Sequence, residues 1–372
     1  MEIGGLAIIG LLLATATSVV NVLTDVSRKK ALDRHELIAA TSLAKFFGAV
    51  AYTIVFIWRV SNVGLPTFRD SGPLFGFESM HFAPFTTFLI YLAIDMAGVT
   101  CATLLYFRAL QVSPLSLCMP FIAFTPLFLI PTGYVLLREL PSTVKLIGVI
   151  LVVIGSLVMH RQLFSVSWFE PLKAIVRERG SRYMLMVAFI FSLTNPLDAK
   201  LVRMSDAYTL AFSYGILLCL IFATMAVIRR ADWKAVMRSA AFWIILAGVG
   251  ETAVNLLQFS SHNFIDVVIT ISLKRAGIVL SVLMGWLIFR ERDITDKLIA
   301  STVMVAGALM FYLPMTLPQS LTVTMIALVG MAIALYVTRK QLRHDEHGNE
   351  IHTSVAELTE ASSAAPAGVE PT

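Results

Sequence analysis

Charge is scarce in this chain. Of its 372 residues only 14% are Asp, Glu, Lys or Arg, while 57% are hydrophobic. Soluble domains carry about 25% charged residues, so this balance excludes an ordinary soluble protein. Cysteine is scarcer still. Cys101, Cys118 and Cys219 all fall in apolar runs, which argues against a disulfide framework and leaves the redox compartment unread. No strong excess of one charge sign exists either. The net charge is +5, and the basic residues sit mainly between the apolar runs, a mark of membrane topology and not of nucleic-acid binding. The chain contains no Walker A sequence, no His-Glu-x-x-His and no complete Gly-x-Gly-x-x-Gly; Gly248-Val249-Gly250 is at best a helix-packing pair. ATP-driven transport and zinc hydrolysis therefore have no motif behind them. No catalytic residue, cofactor or metal is expected, and the chain is not read as an enzyme. The first apolar run follows Met1-Glu2 without a basic leader, so it reads as a retained helix and not a cleaved signal.

What is present is a series of apolar runs of about twenty residues, the length that spans a bilayer as a helix. Eleven helices are expected, at 3–24, 37–58, 85–107, 115–137, 144–159, 183–201, 208–228, 242–259, 265–288, 298–312 and 321–338. The chain is thus read as an all-α, polytopic membrane protein. Residues 60–84, with Pro66, Gly72, Pro73 and Gly76, form an extramembrane loop placed to cover one mouth of the bundle. Residues 161–182 link two halves. There Trp168, Phe169, Leu172, Ile175 and Val176 alternate with Lys173, Arg177 and Arg179, as in an interfacial amphipathic helix, and Ser167 and Glu170 have capping-box spacing. Beyond Arg339 the chain turns polar and is expected to be disordered, with His344, His347 and His352 as solvated tail residues.

The halves repeat. Glu139 and Glu291 lie 152 residues apart, and that offset aligns Gly98 with Gly250, Thr100 with Thr252, Phe107 with Phe259, Gly133 with Gly285, Arg138 with Arg290 and Gly155 with Gly307. At another offset Ser18-x-x-Asn21 echoes Ser192-x-x-Asn195. Five helices per half insert with opposite orientation, the inverted-repeat plan of many secondary transporters.

These residues resemble a known family. Ala109-Leu110-Gln111-Val112-Ser113-Pro114 through Leu136-Leu137-Arg138-Glu139, then Ile147-Gly148 and Ile154-Gly155, are similar to the EamA-type repeat of the drug/metabolite transporter superfamily. Leu287-Ile288-Phe289-Arg290-Glu291 closes the second copy. The resemblance implies ten helices around a central cavity and alternating access. It implies a 5+5 bundle with a first repeat at 1–160, a linker at 161–182 and a second repeat at 183–313; the added transmembrane helix at 318–338 departs from that plan, and a tail follows at 339–372. Lys274-Arg275 is also similar to the ninth-helix Lys-Arg of triose-phosphate-type translocators, where the pair binds an anionic phosphate.

Two adjacent cations at mid-membrane depth are expensive and are usually kept for function. Lys274 and Arg275 are therefore the first candidates for substrate binding; the alternative is a structural ion pair with Glu251 or Asp95. Glu251 and Asp95 are candidates for coupling or for charge balance. Lys45 is either a third cavity cation or a side chain that snorkels to the interface. Asn21 and Asn195 hold equivalent places and either bond substrate or join helices. Pro120, Pro126, Pro131 and Pro196 free backbone carbonyls that can serve as hinges. Glu139 and Glu291 read as salt-bridge or capping groups.

The function this supports is secondary transport of a small organic metabolite, anionic or zwitterionic, coupled to protons or to a counter-substrate. The rivals are an exporter of cationic or amphipathic drugs and a lipid-linked carrier flippase. The expected partners are that solute and the lipid bilayer of a cell (plasma or inner) membrane. Odd-numbered loops plus the tail carry 20 Lys and Arg and even-numbered loops 4, which places the N-terminus outside and the C-terminus in the cytoplasm.

Overall fold

The structure is a computed structural model that describes residues 2–32, 37–72, 74, 80–112, 119–158, 179–277, 294–313 and 315–333. Among these residues all regular structure is helical. The elements are α1 (Glu2–Leu32), α2 (Leu37–Val63), α3 (Pro84–Val112), a 3-10 segment (Met119–Phe124), α4 (Thr125–Leu137), α5 (Thr143–Val158), α6 (Arg179–Met204), α7 (Ala207–Ile228), α8 (Trp233–Ser261), α9 (Val267–Ala276), α10 (Ile294–Tyr312) and α11 (Leu317–Ile333). Six of these helices are long and apolar enough to cross a membrane, and four shorter ones are apolar. The amphipathic stretch within 161–178, residues 278–293 with Glu291, Cys118 and the tail lie outside the described residues.

Local chemistry explains the boundaries. α1 continues eight residues past the expected end, carrying Arg28 and Lys30 on its last turns. The fourth run becomes α-helical only at Thr125. Pro120 sits in the preceding 3-10 segment, and Pro126 sits in the first turn of α4, where its missing N–H has no helical partner to lose. α8 begins nine residues before the expected start because Asp232 caps it, accepting from the Ala235 N–H at 3.1 Å; it then kinks at Ala240 (φ −131°, ψ 15°). Asp206 caps α7 in the same way, accepting from Tyr208 and Thr209 N–H at 2.9 and 3.0 Å. Within α6, Pro196 cannot donate to the Ser192 carbonyl. The Thr132 hydroxyl of α4 donates to that carbonyl at 2.6 Å, so a backbone break inside the bundle is satisfied by a neighbouring helix.

Helices distant in sequence pack together: α1 on α8, α2 on α7 and α8, α3 on α6, α4 on α6, α5 on α10, and α9 on α1, α4 and α5. Lipid supplies no hydrophobic drive between helices, so close backbone packing has to hold such seams. Gly48 and Gly248 meet where α2 crosses α8, and the Thr252 hydroxyl bridges both carbonyls, at 3.2 Å to Gly48 and 3.1 Å to Gly248. Gly148 and Gly307 meet at the α5–α10 crossing, where a Cβ on either would lie 2.7 Å from the other's carbonyl oxygen. Large apolar side chains such as Ile54, Trp58, Leu220, Ile228 and Phe242 remain exposed, as a lipid-facing surface requires. On α11, Val323, Ala327, Leu328 and Met331 pack against a cluster of Leu151, Val303 and Met310 from α5 and α10.

At one end of the bundle the loop after α2 folds inward. Phe68 packs on Phe85 and Phe88, the Arg69 N–H donates to the Met204 carbonyl at 2.7 Å, and buried Arg59 pairs with Asp206 at 2.9 Å. The described part of the loop thus packs on the start of α3 and the end of α6.

Candidate functional site

Two buried polar clusters lie between the helices. The first joins α3, α6, α8 and α9. Lys274 and Arg275 occupy the last turn of α9, where cations complement the helix dipole. Lys274 Nζ donates to Gln258 Oε1 at 2.8 Å, and Gln258 Nε2 donates to Asn195 Oδ1 at 3.2 Å. Asn195 in turn donates to the Phe191 carbonyl, one turn back on α6. Lys274 also faces Asp198 of α6, whose carboxyl lies within hydrogen-bonding reach of Asp95 of α3. Both aspartates are buried, Asp95 completely. Both oxygens of Asp95 and Oδ1 of Asp198 lack a donor in the structure. One turn along the same seam, Lys200 donates to the Tyr91 hydroxyl at 2.8 Å and lies over its ring. Arg275 is half-buried, and neighbours on a helix diverge by about 100°.

The second cluster joins α1, α2 and α8. Glu251 gives one oxygen to Lys45 and the other to Arg28, the latter at 3.0 Å. Asn255, one turn on, donates to the Tyr52 hydroxyl at 2.8 Å. Tyr214 of α7 is close to Asp198 and Asp95 and also to Glu251 and Tyr52, so it stands between the clusters. A pocket lined by Lys45, Glu251, Tyr52, Tyr214 and the small residues Ala44, Gly48 and Gly215 has room for about one water molecule.

A third group joins the ends of α4 and α6 to the start of α9. Arg138 ends α4 in the left-handed conformation (φ 58°), and the next residue, Glu139, pairs with Arg203 and accepts from the Val267 N–H at 3.3 Å. Glu139 thus acts as both ion-pair and capping group, with Arg203 of α6 and not the adjacent Arg138. His262 follows α8, is buried, and has no hydrogen-bond partner on either ring nitrogen. Burial, with Arg203 and Lys274 nearby, lowers its pKa to about 3, so it is neutral at physiological pH. Burial, then Glu139, raises the Asp266 carboxyl above its usual range.

Set against the sequence, Lys274 and Asn195 come together through Gln258, and Asp95 joins them through Asp198. Lys45 and Glu251 pair with each other, with Arg28 as the second cation on that carboxylate. Asn21 is half-buried on α1, three residues past Ser18, whose hydroxyl donates to the Leu273 carbonyl at 2.6 Å. Sequence reasoning missed Asp198, Gln258, Arg28, Tyr52, Tyr214 and His262. Asp198 was visible as a charge inside the run 183–201. Arg28 was not, because the first helix was taken to end at Thr24. No group of three or more His, Cys, Asp or Glu suited to a metal occurs among the described residues.

Long apolar helices with exposed apolar faces and charges buried between them define a multi-pass membrane protein. Residues 8–161, less than half of the chain, match the model of the EamA-like transporter family. No curated protein matches the chain. Among solved structures, a crystal structure titled only as that of a protein is similar over 82% of this chain and 98% of its own, at 15% identity and a TM-score of 0.62. At that identity the likeness concerns the fold alone.

Proposed function

We propose that this protein is a secondary transporter that carries a small organic metabolite, zwitterionic or anionic, by alternating access between two inverted five-helix halves, α1–α5 and α6–α10. The observation that carries the substrate class is the first cluster. Half-buried Lys274 of α9 meets the buried carboxyls of Asp95 and Asp198 where α3, α6 and α9 converge. A solute with a carboxylate or phosphate at Lys274 and Arg275, and an ammonium at the aspartates, would replace water around both signs of charge. Asn195, and beyond it Asn21 and Lys45, belong to the same path; Glu251 balances Lys45 and Arg28.

Two features support the inverted halves. Replacing each helix by the one five places on exchanges the α1–α8 contact with α6–α3, and α4–α6 with α9–α1. Gly98 and Gly250, aligned by the repeat, each abut a threonine of the opposite half, Thr194 and Thr24.

The carboxyl pair favours one rival, a carrier of cations. Counterflow in proteoliposomes separates them: labelled phosphorylated, carboxylic, zwitterionic and cationic solutes are each exchanged against the unlabelled compound. Exchange is expected for an anionic or zwitterionic solute. Exchange of cations alone overturns the reading.

The orientation we propose puts the N-terminus and the Glu139–Arg203 group outside and the C-terminus in the cytoplasm of the cell membrane, from the bias of Lys and Arg. Cysteines introduced at residues 2 and 345 are expected to react with an impermeant reagent from opposite sides. Labelling of both from one side contradicts this orientation.

A further inference from the structure

The Asp95–Asp198 pair has an unusual hydrogen-bonding deficit. Two carboxylates offer only acceptors, so neither satisfies the other. The structure supplies no donor to either oxygen of Asp95 or to Oδ1 of Asp198, and Asp95 has no exposure to solvent. Among the described residues, the charged and titratable groups that face the pair are Lys274 from α9 and Tyr214 from α7. Lys200 and Tyr91 lie on the same seam but are bonded to each other. On α4 the Thr132 hydroxyl is engaged by the Ser192 carbonyl, and on α8 Gln258 is engaged by Asn195 and Lys274.

We propose that Asp95 and Asp198 form a proton site, in which one proton held between the two carboxyls ties α3 of the first half to α6 of the second and couples proton movement to transport. This rests on the transporter reading above. One added proton turns one carboxyl into a donor and completes a charge-assisted O–H···O bond across the seam. The pair then carries one negative charge, which Lys274 balances. Loss of the proton leaves two like charges in contact in apolar surroundings, and their repulsion pushes α3 from α6. The proton therefore favours the closed seam and its release favours the parted one. The same residues hold the substrate cluster together, so a solute cation arriving at the pair and the proton leaving it compete for one place.

The first test needs no substrate. Infrared spectroscopy of the purified protein at neutral pH is expected to show the C=O stretch of a protonated carboxylic acid that is lost in Asp95→Asn and in Asp198→Asn. Each asparagine keeps an amide donor for the remaining carboxylate, and thermal melting checks that both variants are folded. Retention of the full band in both variants overturns the proton site. The second test uses proteoliposomes and a solute that the wild type exchanges. The wild type is expected to accumulate it under a proton gradient, and both asparagine variants to lose that proton-driven accumulation whatever exchange they retain. Accumulation driven by sodium instead, or unchanged proton-driven accumulation in the variants, overturns the coupling. A wild type that exchanges no solute sinks the transporter reading and the coupling with it, while the infrared band still reports the shared proton; the two failures are thus distinct.

Discussion

Gly248→Leu is expected to destabilise the protein by at least about 3 kcal/mol, the upper part of the range for overpacking. A Cβ on Gly248 would press on the Ala44 carbonyl oxygen and lie 2.9 Å from the Gly48 nitrogen and 3.1 Å from Phe47 Cβ. The first two obstacles are backbone, so no rotamer change relieves them; α2 and α8 must separate. That seam also aligns the second cluster. Lys45 follows Ala44 on α2, and Glu251 lies less than one turn beyond Gly248 on α8. Thermal melting in detergent measures the effect, with Gly5→Leu as the control because nothing lies within 4 Å of a Cβ there. Equal melting of the two variants would mean that the helices do not approach in this way.

Glu251→Gln is expected to cost about 3 kcal/mol, the low end for removing one partner of a buried ion pair. The side chains of Lys45 and Glu251 are each 13% exposed, so their charges are poorly screened. Arg28 is 39% exposed and contributes less, which is why the low end applies. The substitution leaves two cations facing a neutral amide. Adding Lys45→Met should recover part of the loss, because the double variant no longer buries an unpaired lysine. Melting curves of the two single variants and the double variant form the test. A Glu251→Gln protein that melts like wild type but loses the pH dependence of uptake would make Glu251 the titrating group, and Asp95–Asp198 would lose that role.

These two effects mark where the sequence was informative and where it was not. Each expected run with described residues contains helix, and six of these helices are long and apolar enough to cross a membrane, because a bilayer demands about twenty apolar residues from each span and such runs are visible in the sequence. The errors fall at polar ends. Residues 25–32 continue α1 although Asp25, Arg28, Lys29 and Lys30 interrupt its hydropathy, and the exposed, charged first turns of α8 escaped for the same reason. Partner choice was less accessible. The charges at 45, 95, 251, 274 and 275 stood out as intramembrane ions, but which of them meet depends on which helices are neighbours. Apolar periodicity does not encode that. Glu251 was set against Lys274 or Arg275, yet α8 lies on α1 and α2, so Arg28 and Lys45 reach it first. Gln258, Tyr52 and Tyr214 carry no charge and gave no signal until the helices were assembled around them.

The central claim is that solute binds where Lys274 meets Asp95 and Asp198. Its most direct measurement is solute binding and thermal melting on the same purified Lys274→Ala protein, using the solute that the wild type exchanges. Loss of one charge-assisted contact should cost about 1.5–3 kcal/mol, roughly tenfold to more than a hundredfold in affinity, with the empty protein still folded. Lys274→Arg should recover part of the binding, since it keeps the charge. A Lys274→Ala protein that binds the solute as tightly as wild type, and differs only by melting earlier, would contradict the claim and leave the lysine a structural partner of Gln258 and Asp198.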